Sequence, residues 1–566
     1  MQKPRLNLVI MSMLCMMSLP VLAGINDGRF LSSSALIENG PAADKMNIVF
    51  MGDGYTEDEQ EVFNAKVEKA FNDLFSSHPF YTMRCAMNVI RINIASNDSG
   101  VDIPATCGPD NLSGAQMRAT AMDATYCSDA RTERCVFGDI MAVAQWASMA
   151  GIVQGAPNVF IYVFVNQNRY GGCAQILNRV AFGWTGDGYE KTVIHELGHA
   201  LSGLADEYDV ASPGTFPDPE PPEINATIAT TLRTIKWNDL ILSTTSIPTI
   251  SKKCDTDDDQ GSDNYDLVGL YEGAVYHTCG VFRPSVTCKM RDSDNAFCSV
   301  CRRKVIRDLQ PFMCKPMALS FTEVTIFDDS DPWPKGEGEI NFDYLLTSSV
   351  DHTNGKWPGG DGTSDFDDDE TQSLDHFFAG TLADPATAQL RTEFNESDWP
   401  DGDDDLDDDE TNALPASGDF TITSDDYELK GNLVNAPLHL LLDMLHISDD
   451  EDWPDDGDIY INYSVDNGST VVKGRYPTGD GEMGMGDDET VNLGYFGAAV
   501  PLPGDGGEVT IKFDVWDGDP WIRGGDDHLG SGNFTFTTAD GFGSNNTTFC
   551  KAESGFRITF SLFKVD

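Results

Sequence analysis

The chain has 566 residues, with 92 Asp and Glu against 37 Lys and Arg and a formal net charge of −55. That length exceeds what one hydrophobic core supports, so about two to four domains are expected. So many carboxylates repel phosphate, which argues against nucleic-acid binding and favours the collection of divalent cations.

The first residues, MQKPRLNLVIMSMLCMMSLPVLAG, carry Lys3 and Arg5, then an apolar run, then Val21-Leu22-Ala23. They read as a secretory signal peptide (1–23) cut after Ala23, because the run is short and ends in small residues. No later segment is long and apolar enough to span a bilayer. The mature chain is expected to be exported, extracellular or periplasmic, with a short segment 24–44 before the first domain.

Charge and cysteine both change near residue 315. Residues 317–566 hold 55 acidic and 11 basic side chains, whereas eleven of the twelve cysteines beyond the signal lie between Cys85 and Cys314. An even number of cysteines in an exported chain favours disulfides. Cys298-Ser-Val-Cys301 also has the form of half a thiolate zinc site, but without a second CxxC the disulfide reading is preferred.

Residues 45–316 alternate strand and helix. Met46–Met51 is an apolar run closed by Gly52-Asp53-Gly54-Tyr55, a buried strand and a turn. Glu57–Phe75 has helical spacing, with Val62, Phe63, Val67, Phe71 and Leu74 on one side. Met87–Ile94, Asn158–Val165 and Val180–Trp184 read as strands, giving an α/β (α+β) domain with helices packed on a sheet. The strand near Val180–Trp184 is a candidate to pair with an extended substrate.

Asp187-Gly-Tyr-Glu190 has the form of a capping box, so a helix should start near Gly188. Val193, Leu197, Ala200, Leu201 and Leu204 form its buried face. His195 and His199 are four apart and project one turn from each other, within reach of one zinc ion. Glu196, one position round, reaches a water rather than the ligand position, as a general base must. Gly203 should end the helix in the left-handed conformation. In HELGHALSGLADEY that glycine lies one residue later than a metzincin pattern requires. The expected third ligand therefore moves from Ala205 to Asp206, with Glu207 as the nearest rival.

His195–Tyr208, Asn47–Tyr55, Cys288-Lys-Met290 and Phe297-Cys-Ser-Val-Cys301 together resemble the IgA-peptidase family of secreted bacterial zinc metallopeptidases, a metzincin-like group. The resemblance covers roughly residues 45–315. It implies that Met290 forms the apolar turn beneath the metal.

Beyond residue 316, alternating strands are expected at Glu339–Leu345, Asp458–Val465, Val509–Val515 and Phe534–Thr538. DPWPKGEGEINFDY (331–344) matches DWPDDGDIYINY (452–463), GKWPGGDG (355–362) matches GRYPTGDG (474–481), and DDET recurs, at an offset of about 120 residues. That is the size of one β-sandwich, so two all-β repeats are expected, 317–435 and 436–566. FDVWDGDPWIRGGDDHLGS (513–531) resembles the third calcium loop of the β-sandwich family called C-two, through Asp517, Asp519 and Asp527. The matching first loops would be Asp449, Asp450 and Asp452, and Asp328, Asp329 and Asp331. Oxygen ligands grouped on loops suit calcium, although a solvated acidic surface remains the alternative.

The sequence thus points to an exported zinc endopeptidase acting on extracellular proteins or peptides, with calcium-binding accessory domains that could attach it to a cell surface or matrix. The other class is a non-catalytic adhesin or matrix-binding protein on a peptidase-like scaffold. Retention of Glu196 speaks against it, since metal binding alone would not need that carboxylate.

Overall fold

A computed structural model describes residues 27–209, 212–217, 219–241, 245–249, 267–313, 317–327, 338–347, 352–358, 364–366, 369–382, 388–398, 402–405, 410–415, 417–424, 426–447, 457–468, 471–477, 483–485, 489–503, 507–518, 527–537, 547–552 and 556–564. Residues 1–23, expected to be a signal segment, lie outside these residues. Among the described residues, no helix is long and apolar enough to cross a membrane.

The N-terminal half is built on a six-stranded sheet. Its strands are β1 (Gly28–Ile37), β2 (Met46–Asp53), β3 (Met87–Ser96), β6 (Val159–Val165), β7 (Gly172–Gln175) and β8 (Val180–Gly183), in the order β1-β3-β2-β6-β8-β7. The short pair β4 (Thr106–Cys107) and β5 (Asp110–Asn111) lies apart from it. The four inner strands run parallel, and β1 and β7 are antiparallel edges. Every residue of β2 and β6 is buried, which is why both read as unbroken apolar runs rather than alternating ones. The pleat still sorts them. Ile48, Phe50, Phe160, Tyr162 and Phe164 face one cluster, while Val49, Met51, Ile161 and Val163 face another.

Helices α1 (Gln60–Leu74), α3 (Tyr189–Ser202) and α4 (Ser299–Leu309) cover the first face, and α2 (Ile140–Met149) the second. Two expectations for α1 need correction. Its first turn is a 3-10 turn at Glu57–Glu59, and Val62 is 51% exposed. The buried stripe instead runs through Gln60, Phe63, Val67, Ala70 and Leu74.

A smaller three-stranded sheet, in the order β10 (Tyr271–Ala274), β11 (His277–Arg283), β9 (Ser212–Thr215), follows α3. Disulfides join Cys107 to Cys127 and Cys135 to Cys173, and Cys85 and Cys279 are also disulfide-bonded. Cys288, Cys298 and Cys301 are not, contrary to the preference for disulfides throughout.

The C-terminal half contains no described helix and four larger sheets. One hydrophobic cluster draws on Leu319 and Phe321 of one sheet and Ile340 and Phe342 of the next. A second draws on Leu438 and Leu440 of one sheet and Ile459 and Ile461 of another. Strands starting at 338, 352, 364, 370 and 389 have counterparts starting at 457, 471, 483, 489 and 508, each 119 residues later. The second of these units packs on the first half of the chain. Leu441 joins the core beneath α3, and buried Asp443 lies 3.0 Å from His78 Nε2 and 3.2 Å from Arg302 Nε.

Candidate active site

The site grows from α3. Val193, Leu197, Ala200 and Leu201 bury one side of the helix in the core, which leaves His195 and His199 part-buried outside that core. Gly203 ends the helix in the left-handed region, φ 58° and ψ 38°, as the motif requires. The N-terminus differs from the capping box. Gly188 is the N-cap, also left-handed and without a side-chain bond, and Glu190 pairs with Lys69 at 2.7 Å.

Past Gly203 the chain doubles back beneath the helix. Buried Asn225 holds it there, accepting from Ala205 N at 2.8 Å and donating to Ala205 O at 2.9 Å. The turn between β10 and β11 clamps the next residues, with Val275 N bonded to Asp206 O and Tyr276 N to Tyr208 O, both at 2.9 Å.

Asp206 is thereby delivered to the histidines. The His195 and His199 Nε2 atoms lie 3.1 Å apart, and Asp206 Oδ1 is 3.2 Å from the first and 3.1 Å from the second. A tetrahedral ion with bonds of 2.0–2.1 Å sets its ligands about 3.3 Å apart, so these three atoms have the right spacing to share one. Backbone carbonyls fix the rings: His195 Nδ1 lies 2.8 Å from Lys289 O and His199 Nδ1 2.6 Å from Leu204 O. Each Nδ1 can then carry the proton and leave Nε2 with a lone pair for the common point. The Tyr276 hydroxyl donates to Asp206 Oδ2, holding the carboxylate's other oxygen.

Electrostatics agree with a cation site. Burial opposes charge on His199, but the Asp206 carboxylate beside it outweighs that and raises the imidazole to about 9. Burial likewise opposes ionisation of Asp206, and hydrogen bonds to both histidines hold its carboxyl far below the usual range. Glu196 is buried one position round the helix. Burial pushes its carboxyl up, against the pull of His199 and His195. A Cβ on Gly172 of β7 would lie 3.4 Å from Glu196 Oε1, so the edge strand passes directly over this carboxylate.

Glu207 does not join this group. It turns the other way and is fully buried, with Oε1 accepting from Asn225 Nδ2 at 2.9 Å and from Cys301 Sγ at 3.3 Å. Met290 is buried under α3, where a Cβ on Gly198 would lie 2.7 Å from its sulfur. Its carbonyl accepts from Glu207 N at 2.8 Å. The expectation that the Val180–Trp184 strand offers a free edge is incorrect. β8 is flanked by β6 and β7, so β7 is the edge.

Of the calcium candidates, Asp328, Asp329, Asp331, Asp449, Asp450, Asp452 and Asp519 lie outside the described residues. Asp517 is buried at the end of its strand, accepts from Asp458 N at 2.9 Å, and pairs in register with Asp527. Tyr276, Tyr208 and Arg134, whose guanidinium donates to Tyr208 Oη at 3.1 Å, complete the surroundings of the histidine site. Sequence reasoning missed them because they reach the site through tertiary contacts and carry no spacing signal.

A helix bearing two histidines one turn apart, a returning carboxylate and a buried methionine turn are the parts that a metal-dependent peptidase would use. Residues 34–264 and 256–309, just under half of the chain, match the model of the family described as IgA Peptidase M64, whose peptidases are metallopeptidases. No curated protein matches the chain. Among solved structures it is similar to human GIVD cytosolic phospholipase A2, at 11% identity over 44% of this chain and 32% of that one, TM-score 0.19. It is also similar to the paired C-two domains of extended-synaptotagmin 2 in their calcium-bound form, at 12% identity over 44% of this chain and 96% of that one, TM-score 0.18. The chain thus spans about a third of the phospholipase's length.

Proposed function

We propose that the chain is an exported zinc endopeptidase that hydrolyses peptide bonds of extracellular proteins. The observation that carries this reading is the convergence of His195 Nε2, His199 Nε2 and Asp206 Oδ1 at 3.1–3.2 Å from one another. Those three residues would hold the metal, with Asp206 rather than Glu207 as the third ligand. When bound, zinc supplies a Lewis acid for the scissile carbonyl and lowers the pKa of water towards neutrality.

The remaining steps belong to the chain's own side chains. Lys289 O and Leu204 O keep both imidazoles in the tautomer that frees Nε2, and Tyr276 keeps Asp206 from rotating. Glu196, buried beside them, takes a proton from the attacking water and passes it to the leaving amine. Extended substrate would align along β7, whose strand crosses over Glu196.

Export is inferred from residues 1–23 and supported by the disulfides Cys107–Cys127 and Cys135–Cys173, which persist in oxidising compartments. The C-terminal half is inferred to be two tandem β-sandwiches, 317–435 and 436–566. The constant 119-residue spacing of strand starts and the two separate cores support this. Calcium binding rests on the aspartates at their strand ends, of which Asp517 and Asp527 are paired in backbone register.

Casein or gelatin hydrolysis by the full chain tests the central reading. Activity should vanish with chelator and return with zinc, and Glu196→Ala should bind zinc but cleave nothing. A zinc-loaded wild type as inactive as Glu196→Ala would instead favour the non-catalytic scaffold.

A further inference from the structure

On the far side of the doubled-back segment lies a second group that peptide hydrolysis does not use. Glu207 follows Asp206, Cys288 opens the turn that contains Met290, Cys298 is the N-cap of α4, and Cys301 lies in its first turn. All four side chains are buried, and their ligand atoms all lie within 4.8 Å of one another. Cys298 N donates to Cys288 Sγ at 3.4 Å, and Cys301 Sγ lies 3.3 Å from Glu207 Oε1.

Two features of this cluster demand a partner. Glu207 is completely buried, yet its Oε2 has no hydrogen-bond partner. An ionised carboxylate so placed is costly unless a cation or a proton completes it. In addition, three thiols sit together unoxidised in a chain whose Cys85, Cys107, Cys127, Cys135, Cys173 and Cys279 all form disulfides. Coordination would both neutralise the carboxylate and protect the thiols.

The donor set selects the ion. Three soft sulfurs and one carboxylate oxygen, four in all, suit tetrahedral zinc, whose bonds of about 2.3 Å to sulfur set sulfurs about 3.8 Å apart. The surroundings favour a thiolate at Cys298. Cys298 caps α4, where the helix dipole is positive, and buried Arg302 lies in the same first turn.

We propose that Glu207, Cys288, Cys298 and Cys301 form a second, structural zinc site separate from the histidine site. Four protein ligands leave no open position, so this zinc carries no chemistry. It ties together three segments that the active site needs in register: the strap carrying Asp206, the turn carrying Met290, and α4. Through Glu207 it fixes the residue next to the third active-site ligand.

The test uses the full chain and two double variants, His195→Ala/His199→Ala and Cys298→Ser/Cys301→Ser. Elemental analysis should give two zinc per chain for wild type and one for the histidine variant. Cobalt substituted into the histidine variant should show the strong near-ultraviolet band of thiolate-to-cobalt charge transfer, and its thiols should resist alkylation until chelator is added. The cysteine variant should lose the band. Should that variant fail to fold, the histidine variant's spectrum and alkylation decide the matter alone. A histidine variant without metal, or a disulfide found among Cys288, Cys298 and Cys301, would overturn the proposal. Neither result touches the peptidase reading, which is judged on wild-type hydrolysis.

Discussion

Asp206 and Glu207 are adjacent in the chain and face opposite sides of it: Asp206 Oδ1 lies 3.1 Å from His199 Nε2, while Glu207 Oε1 lies 3.3 Å from Cys301 Sγ. Consecutive residues of an extended segment point to opposite faces, so one strap between two clusters supplies a carboxylate to each. Asp206→Ala should therefore abolish the histidine site specifically. Zinc bound there should be lost, and kcat/KM should fall at least about 100-fold, more than loss of an outer-shell partner costs. Metal content and peptide hydrolysis on the same preparation check this. Unchanged zinc and activity would remove Asp206 from the ligand set.

Tyr276 offers a milder perturbation. Its hydroxyl donates to the Asp206 oxygen that faces away from the histidines. Tyr276→Phe keeps the ring and its edge contact with Tyr208, whose centroid lies 5.1 Å away, but frees the carboxylate to rotate. Zinc affinity should weaken about 10- to 100-fold, the usual effect of removing such a partner. Competition with a chelator of known affinity measures it, and the thermal midpoint should barely move.

The glycine inside the motif is explained by what lies beneath it. A Cβ at Gly198 would approach Met290 Sδ to 2.7 Å and Phe297 Cε1 to 3.1 Å. Methionine could yield, but the Phe297 ring behind it is buried in the same core. Gly198→Ala should thus destabilise the domain by about 1–3 kcal/mol through overpacking, despite alanine's better helix propensity. Denaturant unfolding tests this, and a stabilised variant would show that the Met290 turn is not seated against α3.

What could be read from the sequence divides along physical lines. The helix of His195 and His199 was legible because its apolar positions, paired histidines and terminal glycine are all local; β2 and β6 were legible as apolar runs and β3 by its alternation. The capping box at Asp187 was misread because Gly188 takes the cap and Glu190 pairs with Lys69 instead. Asp206 could be preferred only by counting residues from His199 to Gly203 and on. What brings it to the histidines is Asn225 and the turn at Val275–Tyr276, contacts that no spacing encodes. The grouping of Cys288 with Cys298, Cys301 and Glu207 was hidden for the same reason.

Acid should loosen the junction between the two halves before it unfolds either core. Burial alone would raise the Asp443 carboxyl, but Arg302 and a hydrogen bond with His78 outweigh it and hold it down to about 2. Burial also lowers His78, and brings His439, on the strand Leu438–Ile447 that carries Asp443, down to about 4. In each case the folded group binds its proton less readily than the unfolded one, so stability falls as pH falls. The histidines act first, because their unfolded forms take up protons below about pH 6.5 while burial delays the folded ones to lower pH. Asp443 adds its share between about pH 4 and 2, worth about 2 kcal/mol in full. Thermal midpoints should therefore decline from pH 7 to 4 and drop further below. Asp443→Ala should cost about 3–5 kcal/mol at pH 7, because it leaves Arg302 buried without its counter-charge. The same variant should flatten the profile below pH 4. An unaltered profile would mean that the Asp443–Arg302 contact does not hold the second β unit against the peptidase core.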